Sequence, residues 1–270
     1  RDKCASHFNM LKIDILNAKL KFFTLIIICQ FLFSTMSLAS EIRIAVASNF
    51  YSTMKEIIVQ FELENVETSK VNKIVLIPGS SGKHYAQIIN GAPFDLFFSA
   101  DKLRPVLLEE HGMTRDQSRF TYALGRLVLW SPRDGFIDSD GQVLSEADFR
   151  FLAIANPQIA PYGIASKETL VSMNLWQDMN KKIVKGENIA QTFQFVRSKN
   201  AELGFVSYSQ ILDPMFKLGG SFWLVSQSLY NPIEQQAVLL RDSSLGQEFM
   251  KFMQSDKALN IINKNGYDLP

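Results

Sequence analysis

Cysteine is nearly missing: the 270 residues contain 2, Cys4 and Cys29, both in the first 39 positions. The rest of the chain therefore has neither a disulfide framework nor thiolate metal ligands, and must hold itself together with its own core. Histidine is as scarce, 3 in all, and beyond residue 39 there are His84 and His111 alone, which disfavours a histidine-built zinc or manganese centre. A dominant charge is also lacking. The formal net charge is +1, but residues 1–39 hold five Lys/Arg against two Asp/Glu, leaving 23 basic and 25 acidic residues beyond, a net of −2. No basic block stands out, so nucleic acid or an anionic membrane is not attracted through a positive field. The chain has no apolar run near the ~20 residues that span a bilayer. It also lacks a GxxxxGK[ST] loop, a fixed-period repeat and low-complexity tracts.

What is present begins with a leader. Lys19 and Lys21 precede an apolar stretch over 22–33, interrupted by Thr24 and Gln30, and Ser37-Leu38-Ala39 supplies a small-x-small site. These three parts make a secretory signal peptide, with removal expected after Ala39 and residues 1–18 as an upstream extension. A membrane anchor is the competing reading, and the stretch is too short for it. Neither cysteine stands at the cleavage site, so a lipid-anchored cysteine is not expected. The destination is the periplasm. About 230 remaining residues suffice to bury roughly 70–75% of the surface of the unfolded chain.

Beyond the leader, strand and helix patterns alternate. Apolar, branched segments at 42–47, 71–77 and 95–98 read as buried strands, separated by helical spacing through Met54, Ile57, Ile58 and Phe61 and through Tyr85, Ile88 and Ile89. Further strands are expected at 124–130, 152–155, 204–207, 223–225 and 237–240, with helices over 166–173 and 188–197 and a helical tail over 245–264. This is an α/β chain of βαβ units. One unit, then a second, then a return suggests two lobes: residues 40–122 with 231–270, and residues 123–230, with crossings near 122–126 and 230–235. Ligands of such folds sit in the cleft, at the carboxyl ends of parallel strands.

Four loops share one construction of strand, short polar turn and helix start: Ala47-Ser48-Asn49, Gly79-Ser80-Ser81-Gly82, Ala160-Pro161-Tyr162-Gly163 and Glu187-Asn188-Ile189. Each leaves main-chain N–H groups unpaired at a helix N-terminus, where the macrodipole favours negative charge. Taken singly, a Ser or Asn there is an ordinary N-cap. Converging on one point, the four would form an anion site that needs no Lys or Arg.

The segments AVASNF (45–50), GSSGKHYAQI (79–88) and GAPFDLFFSAD (91–101), followed by Asn156-Pro157, Ala160-Pro161-Tyr162-Gly163 and Leu203-Gly204-Phe205-Val206, resemble the molybdate-binding proteins of ABC-type importers. The likeness runs in order through nearly all of residues 40–270. It implies a class II, two-lobe periplasmic binding protein, each lobe a mixed sheet flanked by helices, with molybdate or tungstate in the cleft. By position, Ser48 and Asn49 would donate through hydroxyl, amide or N–H groups, Ser81 through hydroxyl and N–H, and Tyr162 and Ile189 through main-chain N–H. Molybdenum would be held as its oxyanion, without direct protein–metal bonds. Some relatives have a Tyr after the Gly-Phe-Val strand; this chain has Ser207 there and Tyr208 next, which leaves that last donor open. The resemblance also implies a membrane permease as partner, a monomer, no cofactor and no catalysis. Two rivals stay open: a receptor for another oxyanion such as sulfate or for an organic acid, and an enzyme on the same fold. Lys83 reads as a solvated lysine, Asp95 and Asp101 as caps, and the three tryptophans as core.

Overall fold

The computed structural model describes residues 41–65, 73–115, 117–146, 148–216 and 219–270. The expected signal segment lies outside the described residues.

Two five-stranded mixed sheets organise the chain. In the first, β1 (Glu41–Ala47) runs parallel to β2 (Lys73–Gly79) and β3 (Leu96–Ser99). β10 (Ile233–Leu239) lies antiparallel between β3 and β4 (Phe120–Gly125), giving the order β2-β1-β3-β10-β4. In the second, β6 (Leu152–Ala155) is parallel to β7 (Ile183–Gly186) and β8 (Leu203–Ser207), while β5 (Leu127–Ser131) pairs antiparallel with β8 and β9 (Ser221–Leu224). The order is β7-β6-β8-β5-β9.

Helices cover both faces of each sheet, so the central strands are buried on both sides and read as unbroken apolar runs. Ile42, Ile44 and Val46 of β1 pack with Phe50, Met54 and Phe249 on one face, while Ala45 faces Phe97, Leu108 and Val238 on the other. In the second lobe Leu127, Leu129 and Phe205 share one core and Val128, Trp130, Phe193 and Val206 another. Each branched aliphatic, Met or Phe side chain among these contributes about 1.5–3 kcal/mol on burial. Among the described residues no helix is long and apolar enough to cross a membrane.

The helices are α1 (Tyr51–Glu64), α2 (Ser81–Ile89), α3 (Leu103–Glu110), α4 (Val143–Glu146), α5 (Pro161–Ser172), α6 (Trp176–Met179), α7 (Ile189–Arg197), α8 (Tyr208–Leu212), α9 (Ser244–Phe252) and α10 (Asp256–Lys264). Three expectations need correction. The strand expected over 124–130 is two strands: β4 ends at Gly125, β5 begins at Leu127, and they belong to different sheets. Apolar periodicity does not register this change of partner, because both halves are buried. The chain thus crosses between lobes at Arg126, and the expected 122/123 limit falls inside β4. The helical tail is likewise two helices, because the Ser255 hydroxyl accepts from Ala258 N–H and caps a new one. Finally β7, a strand missing from the expected set, is an edge strand whose apolar signature is only Ile183-Val184 between lysines.

Candidate functional site

The carboxyl ends of β1, β2, β6 and β7 each lead into a helical turn, and these four junctions face one another across the cleft. They line one small pocket between the lobes, with about 10 Å³ of room. Ser48, Asn49, Ser81, Tyr162 and Ile189, the five expected residues, all line it, with Ser80, Ala100 and Pro161 among their neighbours. No Lys, Arg, Asp or Glu stands among the lining residues.

Each donor is presented by a local device. A 3-10 turn, Ser48–Phe50, follows β1 with no side-chain cap at Ala47, so its first N–H groups stay available. At β2 the two serines divide the work. Ser80 is the N-cap of α2, its hydroxyl accepting from Lys83 N–H. The Ser81 hydroxyl accepts from Ala100 N–H at 2.9 Å and keeps its own proton to give. At β6 the N-cap Ala160 has no acceptor side chain and Pro161 has no N–H, which makes Tyr162 the first donor of α5. The next two N–H groups, of Gly163 and Ile164, are taken by the Ala160 carbonyl. A Cβ on Gly163 would collide with the Ala155 carbonyl, so glycine lets the start of α5 sit directly on the end of β6. At β7 Asn188 caps α7 by accepting from Gln191 N–H at 3.0 Å, leaving Ile189 N–H at the mouth of the helix.

Asn49 differs from the reading of its side chain as a donor. Its amide donates to Gln235 Oε1 (2.8 Å) and to Tyr267 Oη (3.2 Å), so the group it can offer the cavity is its main-chain N–H. The Tyr267 hydroxyl in turn donates to the Asn49 carbonyl at 2.8 Å and lies 2.9 Å from Ser209 Oγ. Burial raises the pKa of three tyrosines behind the cavity: Tyr267 to about 12, and Tyr122 and Tyr162 well above the ordinary value. All three hydroxyls remain protonated and uncharged at neutral pH. This polar layer behind the ligand loops escaped the sequence reading, and its one visible sign was the polar run Glu234-Gln235-Gln236 inside β10.

Neither Ser207 nor Tyr208 lines the cavity. Ser207 is a fully buried capping-box residue of α8, and the Tyr208 ring lies under the Arg126 guanidinium at 4.8 Å. Lys83 pairs with Glu187 across the cleft at 3.6 Å and stays exposed. Asp95 caps Arg43 N–H at 2.7 Å, and Asp101 holds Arg104. His84 is buried against Phe94, and burial lowers its pKa, so the ring is neutral. The lobes are in contact: Gly82 N–H donates to the Ile159 carbonyl at 2.8 Å, directly across the cleft.

The family described as bacterial extracellular solute-binding protein matches residues 42–268. This chain belongs to that family. Among the relatives of this solute-binding protein is the molybdate-binding protein ModA of Azotobacter vinelandii, 43% identical over 86% of this chain and 91% of the relative. ModA of Rhodobacter capsulatus is 41% identical over 85% and 88%. The solved structure of the Azotobacter vinelandii periplasmic molybdate-binding protein superposes with a TM-score of 0.80 at 39% identity, covering 85% of this chain and 99% of that one.

Proposed function

We propose that this solute-binding protein captures molybdate outside the cytoplasm and delivers it to the membrane permease of an ABC importer. The observation that supports the reading is the lining of the pocket: the starts of four helical segments, two on each lobe, border it, and no charged side chain is among them. A dianion there is held by N–H and O–H groups at the positive ends of helix dipoles. Charge-assisted bonds are worth about 1.5–3 kcal/mol each, so five of them offset a large desolvation cost. The relatives named as molybdate-binding support the choice of ion.

The ligand set is Ser48, Asn49 and Ser81 from the first lobe and Tyr162 and Ile189 from the second. Binding proceeds by hinge closure, which completes the donor shell and presents a closed surface to the permease. Tungstate, with the same charge and tetrahedral shape, fits the same donors. Sulfate is smaller, and donors fixed by rigid helix starts leave gaps around it. The protein acts as a periplasmic monomer that binds its ligand without transforming it, and it has no nucleic-acid partner.

Calorimetric titration with molybdate, tungstate, sulfate and phosphate tests this. Saturable heat with the first two and none with the last two is expected. Absence of heat with molybdate at micromolar protein overturns the proposal, and a response to sulfate alone makes the protein a receptor for that ion instead.

A further inference from the structure

Three buried side-chain polar atoms among the described residues make no hydrogen bond of good geometry, His84 Nε2, Tyr162 Oη and Gln235 Nε2, although the Gln235 side chain lies close enough to Tyr162 Oη to favour its ionised form. The last two are neighbours. A Cβ built on Gly125 would overlap Tyr162 Oη outright, and would stand 2.9 Å from Gln235 Nε2 and 3.0 Å from Ile233 Cγ2. The hydroxyl and the amide therefore meet over the bare Cα of Gly125. They come from opposite lobes, Tyr162 from α5 and the other two from paired strands β10 and β4. The Gln235 amide has a set direction, because its Oε1 accepts from Asn49 Nδ2 at 2.8 Å and from Tyr122 Oη at 3.1 Å. That leaves Nε2 as its free end. Gly125 does not have the left-handed backbone that would itself require glycine. What its missing Cβ makes room for is the Tyr162 hydroxyl.

We propose that Gly125 and Gln235 form a socket on the first lobe that receives the Tyr162 hydroxyl as the lobes close, and so hold the Tyr162 main-chain N–H against the oxyanion. This rests on the oxyanion reading above and adds to it two positioning residues that touch no ligand. The ring and the N–H of Tyr162 leave the same Cα, so seating the ring seats the donor. In an open cleft, water hydrates both Oη and Nε2. Closure strips that water away and leaves the two groups facing each other as the partners at hand, since a buried donor left without one is costly. Through its Oε1 the same Gln235 also steadies Asn49. One amide thus ties together, behind the ion, a donor loop from each lobe.

Gly125→Ala tests the socket, using calorimetry and stopped-flow kinetics with molybdate on the exported protein. Affinity is expected to fall about tenfold or more, through faster dissociation, because the added methyl opposes closure after the ion has arrived. Gly125→Ala combined with Tyr162→Phe removes the oxygen that the methyl meets, and is expected to bind more tightly than Gly125→Ala alone. Wild-type affinity in Gly125→Ala, or a double variant no better than the single one, overturns the inference. So does a lower ligand-free melting temperature with an unchanged dissociation rate, which marks a glycine needed for packing only. If Gly125→Ala does not fold, Tyr162→Leu keeps the N–H but empties the socket. It should lose about tenfold as well, and unchanged affinity again overturns the idea. A wild-type protein that binds no molybdate defeats the receptor reading first, a result none of the variants can imitate.

Discussion

Ser81 shows how one hydroxyl serves two ends. It accepts from Ala100 N–H and has its proton left for a ligand. Ser81→Ala should weaken molybdate binding by about 1.5–3 kcal/mol. It should also lower the melting temperature, because the Ala100 N–H is left buried and unpaired, at a cost of about 1–3 kcal/mol. Calorimetry and thermal melts read the two effects separately, and wild-type affinity would remove Ser81 from the site. Titratable residues sit behind the cavity and leave a pH signature on stability. His84 has a folded pKa lowered by burial, so below about pH 6.5 the unfolded chain takes up a proton that the folded one refuses. Stability should fall as pH drops through that range, and His84→Gln should flatten this limb. Tyr267 is shifted the other way, to about 12. Its contribution is intact below about pH 10 and is lost as pH rises from there through 12. Between pH 7 and 9 neither group titrates, so denaturant midpoints and molybdate affinity should both be level.

At the scale of elements, the site is a set of helix starts, and its accuracy depends on how each helix sits on the strand before it. Gly163 is the tightest of these seats, since the start of α5 rests on the Ala155 carbonyl. Gly163→Ala should push α5 off β6, costing about 1–3 kcal/mol of stability and displacing the Tyr162 N–H. A melt together with a molybdate titration checks both, and an unchanged affinity would show that the helix start is not the donor's support. The four strand–turn–helix loops were legible in the sequence because turn chemistry is local: Ser80, Pro161 and Asn188 announce where helices begin. Which neighbour faces the cavity was less legible. Ser80 and Ser81 are adjacent, chemically alike and both at the cavity, and only the position of Ala100, brought by β3, separates the serine that caps α2 from the one whose proton is left for a ligand.

For the whole molecule, the cavity contains donors but no cations, and Lys83 spends its charge on Glu187 at the cleft rim. That exposed pair is worth about 0–1 kcal/mol, so Glu187→Gln should alter molybdate affinity less than about fivefold. An ion shielded inside two lobes should also bind with little dependence on ionic strength. A steep fall in affinity between low and high salt, measured by calorimetry, would reveal a cationic contact outside the cavity.

The alternation of buried strands and amphipathic helices, and the four donor loops, were set by the sequence alone, because hydrophobic period and capping chemistry act over a few residues. Tertiary structure decided that the apolar run around Arg126 divides between two sheets. It turned the Asn49 amide inward to Gln235 and Tyr267 and brought Tyr162 over Gly125. These outcomes join residues up to 218 positions apart, and a pairing at that range is chosen by which surfaces meet when the lobes pack, not by any local pattern.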